Sequence, residues 1–143
     1  MCSSTPSEST PQTIVAHEVP DLARPAALFG HFGRCTMLVE TAVYGFLRRF
    51  CPDYGGGYWR FYELSNGGFY MAPTMPAVRI RVPSNGFEGT LSADAAGITV
   101  CLFVFSHLSF QFSKDVMFSS HFHWLRDFAS DHAEAAGIFA AID

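Results

Sequence analysis

Apolar and polar positions alternate with the period of an α-helix between Thr36 and Cys51. Most apolar side chains recur at intervals of three or four residues, at Val39, Val43, Phe46, Leu47 and Phe50. Spacing of this kind predicts an amphipathic helix that buries one face, and Pro52 ends it. The preceding stretch PAALFGHFGR predicts a shorter helical piece, interrupted by Gly30 and Gly33.

The pattern then changes to one that is typical of strands. Aromatic residues predict a strand from Tyr58 to Leu64. The Asn-Gly pair within Ser65–Gly68 predicts a tight hairpin turn, because these residues tolerate a positive φ. The returning strand runs from Phe69 to Ala72, and Pro73 ends the pairing.

A second hairpin follows directly. The segment from Val78 to Val82 alternates strictly, with valine and isoleucine on one face and Arg79 and Arg81 on the other. The turn Ser84-Asn85-Gly86 leads to a strand from Phe87 to Leu91. Two successive hairpins predict an antiparallel meander of about four strands.

The last third of the chain predicts helices. Ser92 is a suitable N-cap, and the helix it starts extends to about Phe112. Residues 98–112 are also rich enough in β-branched side chains for a buried strand, which stays as an alternative. Two further helices are predicted, from about Asp115 to Phe128 and from Ala133 to Ile142. The order predicts an α+β fold, a single domain in which the meander packs with about four helices.

The charge of the chain argues against two classes of protein. The 143 residues carry 13 acidic and 9 basic side chains, a net charge of −4. The basic residues are dispersed, so the footprint of a nucleic-acid-binding protein is weak. A mimic of duplex DNA, which carries one charge per ~1.7 Å of axis, would need an acidic surplus of roughly twenty or more.

The N-terminal residues MCSSTPSESTPQT are rich in Ser, Thr and Pro and lack the apolar core of a signal peptide. We expect residues 1–13 to be a disordered tail and residues 14–143 to form the single domain. The apolar run near residues 98–105 is much shorter than the ~20 residues of a membrane span. These features predict a soluble cytoplasmic protein.

Side chains that could carry chemistry are scattered. No CxxC pair occurs, so Cys2, Cys35, Cys51 and Cys101 are expected to be reduced and mostly buried thiols. His121 and His123 would point to different faces of a helix, and are expected to be ordinary surface or half-buried histidines. The sequence has no nucleophile elbow, phosphate loop or paired carboxylates. We therefore predict no catalytic residues and no metal site.

Aromatic residues flank the first hairpin turn, in the stretch FYELSNGGFYMAP. Two interpretations remain open. The rings could build the core, or they could form a platform that stacks single-stranded bases, as in a nucleic-acid-binding accessory protein of a mobile element. A platform needs accompanying positive charge, and only Arg60 supplies it. Core packing is therefore favoured.

The stretch YGGGYWRFYELSNGGFYMAP, followed by SNGFEGTLSADAAGI, resembles the plasmid-borne antirestriction proteins of the ArdB/KlcA family, and within it the KlcA branch. The segments FLRRFCPDY and IFAAID are similar too, so the resemblance covers about residues 28–143. It implies a cytoplasmic protein of the bacterial host cell, without enzymatic activity or cofactor. Such a protein protects incoming plasmid DNA by alleviating type I restriction–modification, not by DNA mimicry, and the action can be indirect.

The resemblance also implies a partner, either the type I restriction–modification complex or a host factor acting on it. Strong nucleic-acid binding and a membrane are not expected. Candidate contact residues are the exposed hairpin tips, Asn66, Gly67, Asn85 and Gly86, although backbone geometry alone explains these residue types. The fifth candidate is Asp143, because an acid at a helix C-terminus opposes the helix dipole. A frayed chain end is its simpler explanation.

Overall fold

The computed structural model describes residues 13–143. The predicted tail therefore lies outside the described residues except for Thr13, and so does Cys2. The described chain forms an α+β fold, which confirms the fold class.

Five α-helices occur within residues 13–143, and two short 3₁₀ turns, Asp21–Ala23 and Gly33–Cys35, flank the first of them. The helices are α1 (Arg24–Phe32), α2 (Thr36–Phe50), α3 (Ala93–Gln111), α4 (Met117–Ala129) and α5 (Ala135–Ile142). The ends of α2 to α5 agree closely with the predicted ones. Gly30 lies inside α1 rather than interrupting it, whereas Gly33 ends the helix with φ +53°.

The five strands of the described chain are β1 (Ala16–Glu18), β2 (Trp59–Leu64), β3 (Phe69–Pro73), β4 (Val78–Val82) and β5 (Phe87–Leu91). Both predicted hairpins are present and antiparallel. They do not continue into one meander: β1, β2 and β3 form one sheet, and β4 and β5 form another. Pro73 is the last paired residue of β3 and Pro76 lies in the connection to β4, and since proline lacks a backbone N–H it does not continue the pairing. The strand β1 has only three residues, too few to show a sequence period.

Helix α3 is the centre of the fold, and the alternative of a strand over residues 98–112 was wrong. Its Ser92 N-cap accepts a hydrogen bond from the Ala95 N–H at 3.1 Å, as predicted. Helix α3 packs against β3 so closely that a Cβ at Gly97 would lie 2.3 Å from the carbonyl oxygen of Met71. By length and composition alone α3 could cross a membrane, but 61% of its apolar window is buried inside the protein.

The core is rich in aromatic side chains and includes two of the three cysteines in residues 13–143. Phe32, Phe69, Phe105 and Phe118 are fully buried around α3. Cys51 and Cys101 are buried and Cys35 is half-buried, all three as free thiols. Burial raises the pKa of Cys101 to about 12, so this thiol stays protonated at neutral pH. The expectation of reduced, mostly buried cysteines is confirmed for these three.

Candidate interaction surface

The tip of the β2–β3 hairpin is attached to α4 by one side chain. Asn66 Nδ2 donates to the carbonyl oxygen of Trp124 at 3.0 Å, and Asn66 Oδ1 accepts from the Gly68 N–H at 3.1 Å. Gly67 has φ +104° and lies against the Trp124 ring, which is 3.6 Å from the position of a Cβ. Asn66 is therefore a half-buried anchor, while Gly67 stays exposed.

The tip of the β4–β5 hairpin is attached in the same way to the end of α5. Asn85 Nδ2 donates to the Ala141 carbonyl oxygen at 2.8 Å, and Asn85 Oδ1 accepts from the Phe87 N–H at 2.9 Å. Gly86 is exposed with φ +77°. Asp143 is exposed two residues after Ala141. The structure thus places Asn85, Gly86 and Asp143 near the C-terminal end of α5. Asn66 and Gly67 lie in the β2–β3 turn, which packs against Trp124 of α4.

A cavity of about 350 Å³ opens beside the β2–β3 tip. We call it the tip cavity, and its wall includes Gly30, His31, Gly67, Val116, His121 and Trp124. These residues come from α1, the hairpin turn and α4. No local pattern in the chain marks this association, because its members are up to 94 residues apart.

His121 lies in the wall of the tip cavity and is only 2% exposed. Its ring is 4.7 Å from that of Phe32, 5.3 Å from that of Phe105 and 5.2 Å from that of Trp124, measured between centroids. The expectation of a surface or half-buried histidine was wrong for this residue. Phe118 and Leu125, three residues before and four after it, are buried on the same face of α4, and this spacing was the available signal.

The electrostatics of His121 follow from its burial. Desolvation, and next the neighbouring His31, lower its pKa from 6.5 to about 4, so the ring is neutral at neutral pH. Its Nδ1 atom is buried and has no hydrogen-bond partner within residues 13–143. Such an orphan polar atom is uncommon in a folded protein and calls for an explanation.

Exposed apolar side chains continue from the tip cavity along the α3–α4 connection. Phe110 is 82% and Val116 is 73% exposed, and Phe112 is also exposed. Residues 111–116 line a second cavity of about 640 Å³, and Val116 lines both cavities. Phe112 and Val116 share the second cavity and Phe110 precedes it by one residue, and exposed apolar patches are typical of interaction sites. We call Gly67, Phe110, Phe112, Val116 and Trp124 together the α3–α4 surface.

A polar cluster joins the starts of α3 and α5 and has some features of a catalytic site. His132 Nε2 is 2.8 Å from Asp94 Oδ2, and the Tyr70 hydroxyl donates to Asp94 Oδ1 at 2.6 Å. However, His132 Nδ1 already accepts from the Glu134 N–H at 2.9 Å. The Ser92 hydroxyl is hydrogen-bonded to Glu134 rather than to the histidine. The cluster therefore holds no free base next to a nucleophile.

The glutamate of this cluster is stabilised in its charged form. Hydrogen bonds from the Ser92 hydroxyl and backbone N–H lower the pKa of Glu134. Ser92 caps α3 and Glu134 immediately precedes α5, so the pair links two helix N-termini. Within residues 13–143, no group of three or more His, Cys, Asp and Glu side chains is placed to hold a metal ion. The arrangement is suited to holding elements together.

Most aromatic side chains of the first hairpin are core residues, as favoured from the sequence. Trp59 is 4% exposed, and Phe61 and Tyr70 are equally inaccessible. Tyr58 is about half exposed, but its hydroxyl donates to Asp21 and the Arg24 guanidinium covers its ring at 4.5 Å. The buried rings of Trp59, Phe61 and Tyr70 are therefore not available for stacking bases, whereas Tyr62 is only partly buried.

Comparison with known proteins gives a consistent result. The sequence model of the antirestriction protein family matches residues 52–143. The antirestriction protein KlcA of Escherichia coli is 45% identical over 141 residues, covering 93% of this chain and 96% of KlcA. The uncharacterised protein YafX of Escherichia coli K12 is 38% identical over 87% of this chain and 85% of its own length.

A solved structure matches with a TM-score of 0.84 and 43% identity, over 92% of this chain and 96% of the other. It comes from work that describes the KlcA and ArdB proteins as having a novel fold. The same description assigns them antirestriction activity against type I DNA restriction systems in vivo but not in vitro.

Proposed function

The chain belongs to the antirestriction protein family, and we propose that it alleviates type I restriction–modification in the bacterial cytoplasm and so protects incoming plasmid DNA. The observation that carries the proposal is the 43% identity and shared fold with a structure from the KlcA and ArdB work. Because those proteins are described as active in vivo but not in vitro, we infer an action that depends on a component of the cell.

We further propose that the protein acts by binding and not by catalysis. Both ring nitrogens of His132, in the cluster that most resembles an active site, are occupied by hydrogen bonds. A net charge of −4 is far too small for imitation of DNA. Both observations support an interaction protein without turnover.

The partner that we propose is a protein, either the type I complex or a host factor acting on it. The α3–α4 surface supports this class of partner, since its side chains are apolar and Lys114 is the one lysine or arginine between residues 110 and 116. Gly67 belongs to this surface, and Asn66 positions it. Asn85, Gly86 and Asp143 remain a second candidate contact, at the end of α5.

The test measures protection in two settings with one type I system. Unmodified phage is plated on cells with and without the protein, and the purified protein is added to the purified restriction enzyme with unmodified DNA. We expect higher plating efficiency in cells and no protection of the DNA in the purified reaction. Protection in both would mean a direct action on the enzyme, and protection in neither would refute the proposed function. A strain without the restriction system is the control.

A further inference from the structure

The two hairpin tips are built alike around an Asn-Gly pair. Both carry the sequence Ser-Asn-Gly, at residues 65–67 and 84–86. In each tip the asparagine Oδ1 accepts from the backbone N–H two residues later, and Nδ2 donates to a carbonyl oxygen of a helix. The glycine N–H of each pair is bonded to the preceding strand, to Leu64 O at 3.0 Å or to Val82 O at 2.9 Å. The side-chain NH₂ group that attaches each hairpin to its helix is also the group that deamidation removes.

We propose that Asn85 is a site of spontaneous deamidation in the folded protein, and that the reaction releases the β4–β5 tip from α5. Asn66, in the matching position of the other hairpin, is protected from the same reaction. The assignment goes beyond the proposed function and does not depend on it.

The reaction begins when the backbone nitrogen of Gly86 attacks the side-chain carbonyl carbon of Asn85. A new C–N bond closes a cyclic succinimide, and the side-chain NH₂ leaves with the Gly86 N–H proton as ammonia. Water then breaks one of the two C–N bonds of the imide and gives aspartate or isoaspartate. No step is a redox step, and water is the only co-reactant. Asparagine is a thermolabile residue, and a following glycine has no Cβ to obstruct the ring.

The β4–β5 tip can open to the geometry of this attack. Asn85 and Gly86 are both exposed, and a Cβ at Gly86 would meet no atom within 4 Å. Attack requires the Gly86 N–H to leave Val82 O and the Asn85 side chain to turn away from Ala141 O. Ala141 lies in the last turn of α5, and helix ends fray. Openings of exposed turns with few buried contacts cost little free energy, so the reactive geometry is reached often.

The β2–β3 tip is held more firmly. Ser65 exchanges two hydrogen bonds with Val15, from its backbone N–H to the carbonyl oxygen and from the Val15 N–H to its Oγ, both at 2.9 Å. Gly67 rests on the Trp124 ring, and Trp124 lies near the middle of α4 rather than at its end. Asn66 itself is half-buried. Opening of this tip breaks all of these contacts, so the same chemistry is slower here.

Deamidation of Asn85 replaces the donor of the tether by an acceptor. The new carboxylate faces the Ala141 carbonyl oxygen, to which Nδ2 donates at 2.8 Å, and two acceptors cannot bond to each other. Carbonyl groups in the last turn of a helix have no partner inside the helix, so the bond from Asn85 is not replaced there. A negative charge at a helix C-terminus is also unfavourable. The reaction therefore detaches the tip from α5.

The first experiment follows both sites in one sample. The full chain is incubated at mildly alkaline pH, and peptide mass mapping measures the conversion of each asparagine with time. We expect Asn85 to convert roughly tenfold faster than Asn66, or more, in the folded protein. In urea the two rates should become similar, because the local sequences are the same. Equal rates in the folded protein, faster conversion of Asn66, or no conversion of Asn85 would overturn the proposal.

A variant verifies the assignment of the modified residue. Glutamine has one more methylene group and cyclises poorly, so Asn85→Gln should abolish the mass gain in the peptide that contains residue 85. The rate at Asn66 should stay the same. A mass gain that persists in this peptide of the variant would place the reaction at another residue and refute the assignment.

The second experiment tests the release of the tip. Amide hydrogen exchange of α5 is compared in fresh protein, in protein aged until Asn85 has converted, and in Asn85→Asp. We expect faster exchange in the last turn of α5 in the aged protein and in Asn85→Asp. Asn66→Asp is the matched control, since it adds the same charge at the other tip and should leave α5 unchanged. Exchange as slow as in fresh protein would show that the tip stays attached. Neither experiment uses protection of phage, so both outcomes are independent of the proposed function.

Discussion

Asn66 and Trp124 are joined by a hydrogen bond of 3.0 Å between the side-chain amide of one and the carbonyl oxygen of the other. This contact holds the β2–β3 turn on α4 across 58 positions of sequence. It also forms one side of the tip cavity, because Gly67 follows Asn66 and rests on the Trp124 ring. Asn66 therefore both stabilises the turn and positions Gly67 within the α3–α4 surface.

Replacement of Asn66 by alanine should destabilise the protein by about 1–3 kcal/mol, since it removes two hydrogen bonds from a half-buried position. The free energy of unfolding, measured by urea denaturation, checks this value. Asn66→Asp keeps the acceptor for the Gly68 N–H but loses the donor to Trp124. Its free energy of unfolding should therefore lie between those of the native protein and Asn66→Ala. An Asn66→Ala variant as stable as the native protein would contradict the assigned anchor.

Replacement of Gly97 by alanine should be strongly destabilising. The added Cβ would lie 2.3 Å from the Met71 carbonyl oxygen and 2.6 Å from the Ala72 Cα, both backbone atoms that cannot move aside cheaply. Overpacking of this kind costs about 1–3 kcal/mol or more. The control is Gly45→Ala, which meets no atom within 4 Å and should stabilise α2 by roughly 0.5–1 kcal/mol. Thermal unfolding of both variants should shift in opposite directions.

The protein should become less stable as the pH is lowered below 6.5, because His121 is buried in its neutral form. Its folded pKa of about 4 lies below the ordinary value of 6.5, so the unfolded chain binds the proton first. Stability attributable to the neutral ring is complete above pH 6.5 and decreases as the pH falls towards 4, by on the order of 3 kcal/mol at 1.36 kcal/mol per pKa unit.

The comparison that isolates this effect uses His121→Phe, which keeps a ring but cannot be protonated. The difference in unfolding free energy between native protein and variant should change between pH 6.5 and 4.5, in favour of the variant at the lower pH. Nearby His31 and Glu63 are common to both proteins. Parallel pH profiles would show that folding does not lower the pKa of His121.

Replacement of Tyr70 by phenylalanine tests the polar cluster. The variant removes a 2.6 Å hydrogen bond to the Asp94 carboxylate, and bonds to charged groups contribute about 1.5–3 kcal/mol. We expect a loss of stability in that range with protection of phage unchanged at permissive temperature. If protection disappears while stability is retained, the cluster takes part in the activity and is not only structural.

Replacement of Phe110 and Val116 by serine tests the α3–α4 surface. Both side chains are largely exposed, so the double variant should unfold within about 0.5 kcal/mol of the native protein. Protection of phage in cells should nevertheless fall, because the apolar contact is lost. Leu22→Ser is the control, since Leu22 is 98% exposed in the 3₁₀ turn before α1. Equal protection by the double variant and the control would exclude this surface.

Much of the fold was predictable from local patterns. The strict alternation from Val78 to Val82 buried its valines and isoleucine and exposed Arg79 and Arg81. The helix of residues 93–111 was favoured by its length and its Ser92 cap rather than by periodicity, because it is apolar on nearly every side. The candidate surface was predictable only in part: Gly67 was named from its turn, whereas Val116 and Trp124 have no local feature that marks them.

The sequence by itself determined the positions of most helices, strands and turns, because these depend on interactions between residues close together in the chain. Asn-Gly sets a turn through its backbone freedom, and Pro73 ends a strand for lack of an N–H. The tertiary structure alone decided that the hairpins belong to two sheets and that Asn66 reaches Trp124. It also decided that His121 meets His31 in a buried wall. These arrangements depend on which apolar faces pack together, and periodicity shows only that a face is apolar, not which face it will contact.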